Sequence, residues 1–295
     1  MESFAQQLWS QLPQQLANTL INGGIFAMVA IGLTLVFGIM RIINFAHGTF
    51  YMYGAYLTFF GAALLGLPYV LSVAVAMVVI AIGGVVVEKL VFKPLREHPM
   101  IDTLLVSLGL LVFLEASARL VWTSIPRIIP SKASNVILSG LGAAFTLQRL
   151  ITLLVCVLLI SGLYLFIQKT RMGKAMRATA QNREAVVVVG IDVDRVVSVT
   201  FMIGSALAAA AGGLVGAIFT VYPEMGFTPG LKAFVVIVLG GMGHVPGAIL
   251  GGLVLAFAET LGGIFWSEFK EAIGFVVLIG VLLLRPEGVL GKITR

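Results

Sequence analysis

The chain of 295 residues is far more apolar than a water-soluble domain, with 59% hydrophobic residues, 11% charged residues and a mean hydropathy of +1.08. Soluble domains average about 45–50% apolar and about 25% charged residues, so the composition excludes a soluble protein and indicates a polytopic membrane protein. The formal net charge of +6 does not indicate nucleic-acid binding, because most basic residues flank apolar stretches, where they orient a membrane protein and contact lipid.

The N-terminal residues have a helical pattern of their own. Four apolar residues recur at every fourth position: Phe4, Leu8, Leu12 and Leu16. This spacing predicts an interfacial helix over residues 1–16, kinked near Pro13 and lying at the membrane surface. A frayed terminus is the alternative. No Lys or Arg occurs among the first 24 residues, which argues against a cleavable signal sequence.

The apolar stretches that follow predict an all-α, polytopic helical bundle. A bilayer core about 30 Å thick needs about 20 apolar residues of helix. The predicted membrane segments are residues 17–40, 45–65, 69–91, 101–122, 150–167, 196–221, 231–239, 245–261 and 272–284. We therefore expect about nine membrane segments, one or two of them broken or short, in a single domain over residues 1–295. Within the fourth segment, Glu115 and Arg119 are spaced to neutralise each other on one helix face.

Two places interrupt the apolar pattern, one near each end of the chain. Residues 38–48 contain Arg41, Asn44 and His47, and residues 240–247 are crowded with glycine. Non-helical backbone at membrane depth is tolerated only where it is buried in protein or lines a cavity. Paired broken helices are typical of transporters that carry substrate between two repeats. For His47, a hydrogen bond to a nearby carbonyl is favoured over a proton relay.

Residues 169–195 form the one substantial polar stretch, which we call the charged segment. It contains six basic and three acidic residues. Nothing in its sequence breaks a helix from Gly173 to Val189, and Gly190 stands where a C-terminal glycine would end that helix. The pattern predicts a cytosolic helical loop, with an ordinary solvated loop as the alternative. This orientation would put residues 89–98, the C-terminus and most of the 19 basic residues in the cytosol, and the N-terminus outside.

Enzyme motifs are missing from the sequence. HExxH, CxxC, GxSxG and GxxxxGK[ST] patterns do not occur, and the single cysteine, Cys156, excludes an internal disulfide. We therefore predict that the chain is not an enzyme, with no catalytic residue, no metal site and no cofactor. If ATP drives transport, another chain must bind the nucleotide.

Three sequence stretches resemble a known family. RATAQNREAVVVVGI, in the charged segment, resembles the coupling segment of ABC-importer permeases, with Glu184-Ala185 followed by Gly190. GLTLVFGIMRIINFAHG (residues 32–48) and GLKAFVVIVLGGMG (residues 230–243) resemble two signature stretches of the LivH-type permeases of branched-chain amino acid ABC importers. The resemblance extends over essentially the whole chain.

This resemblance implies a permease subunit in the inner (plasma) membrane of a bacterium. Its partners would be a second, related permease in a heterodimer, two cytosolic ATPases, and a periplasmic binding protein that delivers leucine, isoleucine or valine. The residues that would contact the ATPases are Gln181, Asn182, Glu184, Ala185 and Gly190. The residues that would line the translocation pathway are Asn44, His47 and Gly241.

Two alternatives remain open from the sequence. The first is a permease of the same group for urea, amides or other amino acids. The second is a self-contained ion-coupled transporter or channel, for which Asp102, Glu115 and Glu259 are the candidate acidic residues, although they are scattered along the chain. An integral-membrane enzyme would need a catalytic cluster that the sequence does not contain.

Overall fold

The computed structural model describes residues 4–140, 143–265, 267–285 and 288–290, and these are mostly α-helical. The helices in these ranges are α1 (Phe4–Met40), α2 (His47–Ala63), α3 (Tyr69–Val87), α4 (Met100–Trp122), α5 (Leu147–Lys169), α6 (Arg171–Gln181), α7 (Arg183–Val188), α8 (Val193–Gly216), α9 (Phe227–Gly240), α10 (Val245–Phe265) and α11 (Lys270–Leu284). A π-helical turn, Glu88–Phe92, extends α3.

Six of the described helices are long and apolar enough to cross a membrane: α1, α3 with its π-helical turn, α4, α5, α8 and α10. The remaining apolar helices are shorter, with 17 residues in α2, 14 in α9 and 15 in α11. The predicted count of about nine membrane segments is therefore not confirmed.

Helix α1 is continuous from Phe4 to Met40 and runs through Pro13. Its 37 residues give a length of about 55 Å at about 1.5 Å per residue, nearly twice the thickness of a bilayer core. Residues 4–16, which the sequence predicted as a separate interfacial helix, are thus the first part of α1. A proline removes one intrahelical hydrogen bond, yet α1 stays helical on both sides of Pro13; the kink near Pro13 stays a prediction.

Helices α1 and α8 form the buried centre of the bundle. Helix α8 packs against α1, α2 and α3, while α9 and α10 pack on α1. Small residues allow this close packing in the membrane: a Cβ atom on Gly32 of α1 would come within 2.7 Å of the Gly204 carbonyl oxygen of α8. Helices α4 and α5 lie at the periphery and expose apolar side chains such as Leu120 and Leu158, as expected of surfaces that face lipid.

The bundle has two chemically different ends. In the connection after α3, Lys93 and Arg96 pair with Asp194 in the first turn of α8. Residues 89–98 therefore lie at the same end as the charged segment, as predicted. At the opposite end, the backbone of Arg127 pairs with that of Val221, beyond α8.

A small β-hairpin at the opposite end was not predicted by the all-α assignment. Strands β1 (Ile137–Gly140) and β2 (Ala143–Thr146) pair antiparallel, with Ile137 opposite Thr146 and Gly140 opposite Ala143. Each strand has four residues, too few for a clear alternation of apolar and polar residues. The glycines around residue 141 are the turn signal that could have indicated it.

The expected pairing of Glu115 with Arg119 on α4 is wrong. Among the described residues, Arg119 pairs instead with Glu224, whose carboxylate oxygen lies 2.7 Å from its Nε atom. Helix spacing makes the i,i+4 pair available, but the loop after α8 brings the Glu224 carboxylate to the guanidinium group. The pair joins α4 to the segment that leads into α9.

Candidate functional site

The charged segment folds into two helices that meet at a corner, which we call the α6–α7 corner. Asn182 ends α6 with an extended backbone (φ −152°, ψ 104°) and caps α7, where its side-chain oxygen accepts the N–H groups of Glu184 and Ala185 at 3.0 Å each. Asparagine is among the strongest N-cap residues. The prediction of one uninterrupted helix from Gly173 to Val189 is therefore wrong.

The role of Gly190 as the residue that ends the helix is confirmed. Its φ angle is +79°, in the left-handed region that favours glycine. The N–H of Gly190 donates to the Val187 carbonyl, and the N–H of Ile191 donates to the Val186 carbonyl, each at 3.0 Å. These two bonds form a Schellman motif, which fixes the direction in which the chain leaves α7 toward α8.

Helix α6 is held firmly against the bundle. Gly173, Met176 and Thr179 form its buried face, which packs against α1, α5 and α8. The Arg177 guanidinium donates to the backbone carbonyl of Ile167 near the end of α5. A Cβ atom on Gly173 would overlap that same carbonyl, so glycine is what allows α6 to lie so close to α5.

The α6–α7 corner itself is exposed. The five residues predicted to contact an ATPase all lie on its surface: Gln181, Asn182, Glu184, Ala185 and Gly190. Beside them, Val187, Val188 and Val189 are 60%, 88% and 74% exposed, and we call these three the valine patch. Sequence reasoning missed the valine patch, although four consecutive valines in a polar loop were a signal, because a helix of six residues cannot bury all of them.

The α6–α7 corner adjoins the end of α1. A cavity of about 380 Å³ separates the two, lined by Gly38–Arg41 of α1 and its connection and by Thr179–Glu184 of the corner. The corner therefore lies beside the end of α1 and is joined to α5 through Arg177.

Charged residues join the end of α3 to the start of α8. Glu88 is fully buried and accepts hydrogen bonds from Arg96 and from the Ser198 hydroxyl, the latter at 2.7 Å. Asp194 accepts from Arg96 and, at 2.6 Å, from Lys93. We call these five residues the charge network. Sequence reasoning missed it, although Glu88 in an apolar run was a signal for a buried partner.

The two interrupted stretches lie next to each other in the structure. The first connection, between α1 and α2, contains Arg41 at φ 55°, and the second, between α9 and α10, contains Gly241 at φ 97° and Gly243 at φ 79°. A Cβ atom on Gly38 would come within 3.2 Å of the Gly243 Cα atom. Backbone breaks from opposite ends of the chain thus meet at the charged-segment end of the bundle.

Asn44 lies in the first connection and His47 is the first residue of α2; both are buried. His47 Nε2 lies 3.2 Å from the Val29 carbonyl oxygen, which agrees with the predicted hydrogen bond. Asn44 is 2% exposed, and neither its amide nitrogen nor its amide oxygen has a hydrogen-bond partner among the described residues. A buried amide without partners is rare and costly.

The space between the first connection and α9 is closed in this structure. The rings of Phe45 and Phe234 stack with centroids 6.1 Å apart. The cavity between Phe37, Ile42 and Met242 measures only about 10 Å³, close to the least that holds one water molecule. In this structure the space is too small for an amino acid.

The chain belongs to the family described as branched-chain amino acid transport system / permease component, whose model matches residues 15–283. It is therefore a multi-pass membrane permease and not itself an enzyme. The chain is 37% identical to the high-affinity branched-chain amino acid transport system permease protein BraD of Pseudomonas aeruginosa and 38% identical to LivH, of the same description, of Escherichia coli, each over 95% of both chains. It is also 30% identical, over 43% of its length and 42% of the relative's, to the probable branched-chain amino acid transport permease protein LivM of Methanocaldococcus jannaschii.

Proposed function

We propose that the chain is the membrane-spanning subunit of an ATP-driven importer of branched-chain amino acids in the inner membrane of a bacterium. The single observation that carries this proposal is the α6–α7 corner, which is anchored to the bundle yet exposes both polar residues and the valine patch. An exposed apolar cluster with a polar rim is typical of a protein contact. The relatives' names supply the substrate class.

The corner is proposed to bind one of two cytosolic ATPases, with Gln181, Asn182, Glu184, Ala185 and Gly190 at the contact. A second, related permease would form a heterodimer with this chain and bind the other ATPase. The similarity to a LivM protein supports such a partner. A periplasmic binding protein would deliver leucine, isoleucine or valine to the opposite end. All 295 residues would then serve as one permease domain, with residues 1–16 at the membrane interface.

Closure of the ATPases on nucleotide would move the α6–α7 corner, and two sets of contacts would pass that movement to the bundle. Arg177 holds α6 to the end of α5, and the charge network holds the start of α8 to α3. The buried helices α1 and α8 would then shift relative to α9 and α10. This is a rigid-body change of packed helices, which is the usual basis of alternating access.

Asn44, His47 and Gly241 are proposed to line the pathway that opens when the two broken connections separate. The support is the apposition of Gly38 and Gly243 and the unpaired amide of Asn44. In the open state this amide would bond to water or to the substrate, which explains why a costly group is kept there. His47 would remain on the Val29 carbonyl and fix the start of α2.

The test is the stimulation of ATP hydrolysis by loaded binding protein in the purified, reconstituted complex. Glu184→Ala and Gly190→Val should lower this stimulation at least several-fold while the complex still assembles. Arg171→Gln, an exposed position at the far end of α6, is the matched control and should retain normal stimulation. Normal coupling in both corner variants would reject the proposed ATPase contact.

The ion-coupled alternative gains no support from the acidic residues considered for it. Glu259 pairs with Lys232 at 3.0 Å, and Asp102 lies at the charged-segment end of α4, 3.4 Å from His98. Glu115 is on α4 and forms no ion pair among the described residues. A coupling-ion site would need such groups to converge. Here Glu259 lies on α10, while Asp102 and Glu115 lie well apart along α4.

A further inference from the structure

A polar cavity of about 390 Å³ lies at the end of the bundle opposite the charged segment. It is formed by the first half of α1, the first turn of α5, the chain just after α8, the last turns of α10 and the start of α11. Its polar lining consists of Gln15, Asn18, Asn22, Arg149, Thr260 and Lys270. We call it the amide–cation pocket. It is within the size range of small-molecule sites, about 300–1,000 Å³.

The amide–cation pocket has an excess of positive charge. Arg149 donates to the side-chain oxygen of Asn18 at 3.1 Å, and neither Arg149 nor Lys270 forms an ion pair within the part of the chain that the structure describes. Glu259 and Glu271 lie behind this lining and both pair with Lys232, at 3.0 and 3.5 Å. Because two carboxylates share one lysine, they offset part of the charge of Lys270, whereas Arg149 has no acidic partner among the described residues. A partly enclosed site whose lining contains two cations and no carboxylate attracts an anion.

One buried hydroxyl in the lining lacks a partner. Thr260 is 5% exposed and lines the pocket, yet its Oγ1 atom has no hydrogen-bond partner among the described residues. A buried hydroxyl left unpaired costs about 1–3 kcal/mol. A ligand atom in the pocket can supply the missing bond, and this observation is independent of the charge.

The rest of the lining is apolar. Ile21 of α1 and Ile218 and Phe219 after α8 contribute hydrocarbon to the same cavity. A free anion such as phosphate would leave this surface in contact with water, whereas an aliphatic side chain would cover it. The amide groups of Asn22 and Gln15 can both donate and accept hydrogen bonds, so they suit a ligand that carries an ammonium group beside its carboxylate.

We propose that the amide–cation pocket binds a small aliphatic amino acid by its carboxylate, as the first position that the substrate occupies on the permease. Arg149 and Lys270 would bind the carboxylate, Thr260 would donate to it, and Ile21, Ile218 and Phe219 would contact the side chain. The proposal rests on the function proposed above, since it assigns the substrate's entry point to the end that faces the binding protein.

The test is equilibrium binding of radiolabelled leucine to the purified complex in nanodiscs, without binding protein and up to millimolar concentration. Wild-type complex should bind leucine saturably, and Arg149→Gln and Thr260→Val should weaken this binding, Arg149→Gln by about tenfold or more because a charge-assisted bond is lost. Unlabelled leucine should compete, whereas leucinamide, which has no carboxylate, should not. Lys132→Gln removes an exposed cation at the same end and should bind like wild type.

Several outcomes would overturn the proposal. These are the absence of saturable leucine binding, equal competition by leucinamide, or wild-type affinity in Arg149→Gln complexes whose assembly gel filtration confirms. If leucine does not bind but Arg149→Gln raises the concentration of binding protein needed for half-maximal ATP hydrolysis, the pocket receives an acidic side chain of that protein instead. Leucine uptake by the wild-type complex with loaded binding protein is measured in parallel, so failure of the proposed function is recognised separately.

Discussion

Asn182 is the residue on which the shape of the α6–α7 corner depends. Its extended backbone stops α6, and its side-chain oxygen accepts the N–H groups of Glu184 and Ala185 in the first turn of α7. Without that oxygen, a helix of six residues has little to hold it, because short helices are marginal in water. The residue thus determines which side chains the corner presents.

Asn182→Ala should therefore uncouple the complex by loosening α7. Loss of an N-cap costs about 1 kcal/mol of local stability, which is large for so short a helix. We expect a several-fold lower stimulation of ATP hydrolysis by loaded binding protein. Asn182→Asp and Asn182→Ser retain the capping oxygen and should keep most of the stimulation. Equal losses in all three variants would mean that the Asn182 amide contacts the ATPase itself and that its capping of α7 is not what matters.

A second prediction at this scale concerns Asn44, whose buried amide has no partner in the closed structure. Asn44→Leu replaces it with an apolar group of similar volume, which removes an unsatisfied polar group. The thermal unfolding midpoint of the complex should stay equal or rise, while leucine uptake into proteoliposomes falls. A lower midpoint with normal uptake would contradict a pathway role for this residue.

At the scale of elements, the charge network makes the α3–α4 connection and the start of α8 move together. Its contacts differ sharply in environment: the side chains of Arg96 and Glu88 are 7% and 0% exposed, whereas those of Lys93 and Asp194 are about half exposed. Removing one partner of a buried ion pair costs about 3–5 kcal/mol, and an exposed pair contributes about 0–1 kcal/mol.

Arg96→Gln should consequently destabilise the complex far more than Lys93→Gln. Loss of Arg96 leaves the Glu88 carboxylate buried with only the Ser198 hydroxyl, while loss of Lys93 leaves Asp194 in contact with water. Thermal unfolding of the detergent-solubilised complex measures the difference. Similar unfolding midpoints for the two variants would show that the network does not hold the two helices together.

At the scale of the whole molecule, the proposed function requires partner chains for every step that consumes energy. The purified chain alone in liposomes should neither hydrolyse ATP nor accumulate leucine under a proton or sodium gradient. Addition of the ATPases, the second permease and loaded binding protein should restore uptake. Gradient-driven uptake by the lone chain would support the ion-coupled alternative.

Composition identified the chain as a membrane protein. The lengths of the apolar runs located α3, α4 and α5 within a few residues, because a long apolar run bounded by charged or turn residues can form little other than a membrane-spanning helix. The break at Asn182 was missed because the sequence alone does not distinguish an asparagine that caps a helix from one inside a helix. The charge network and the amide–cation pocket could not be predicted, since Glu88 and Ser198, or Asn18 and Thr260, meet only through tertiary packing.

The valine patch has a consequence for how the subunit is made. Its three side chains are 60–88% exposed, so under the proposed function a copy without its ATPase would expose this apolar surface to the cytosol. Such surface promotes aggregation and invites quality-control proteases. If the proposed function holds, cells that make this subunit would have to match its synthesis to that of the ATPase, and copies without a partner would be short-lived.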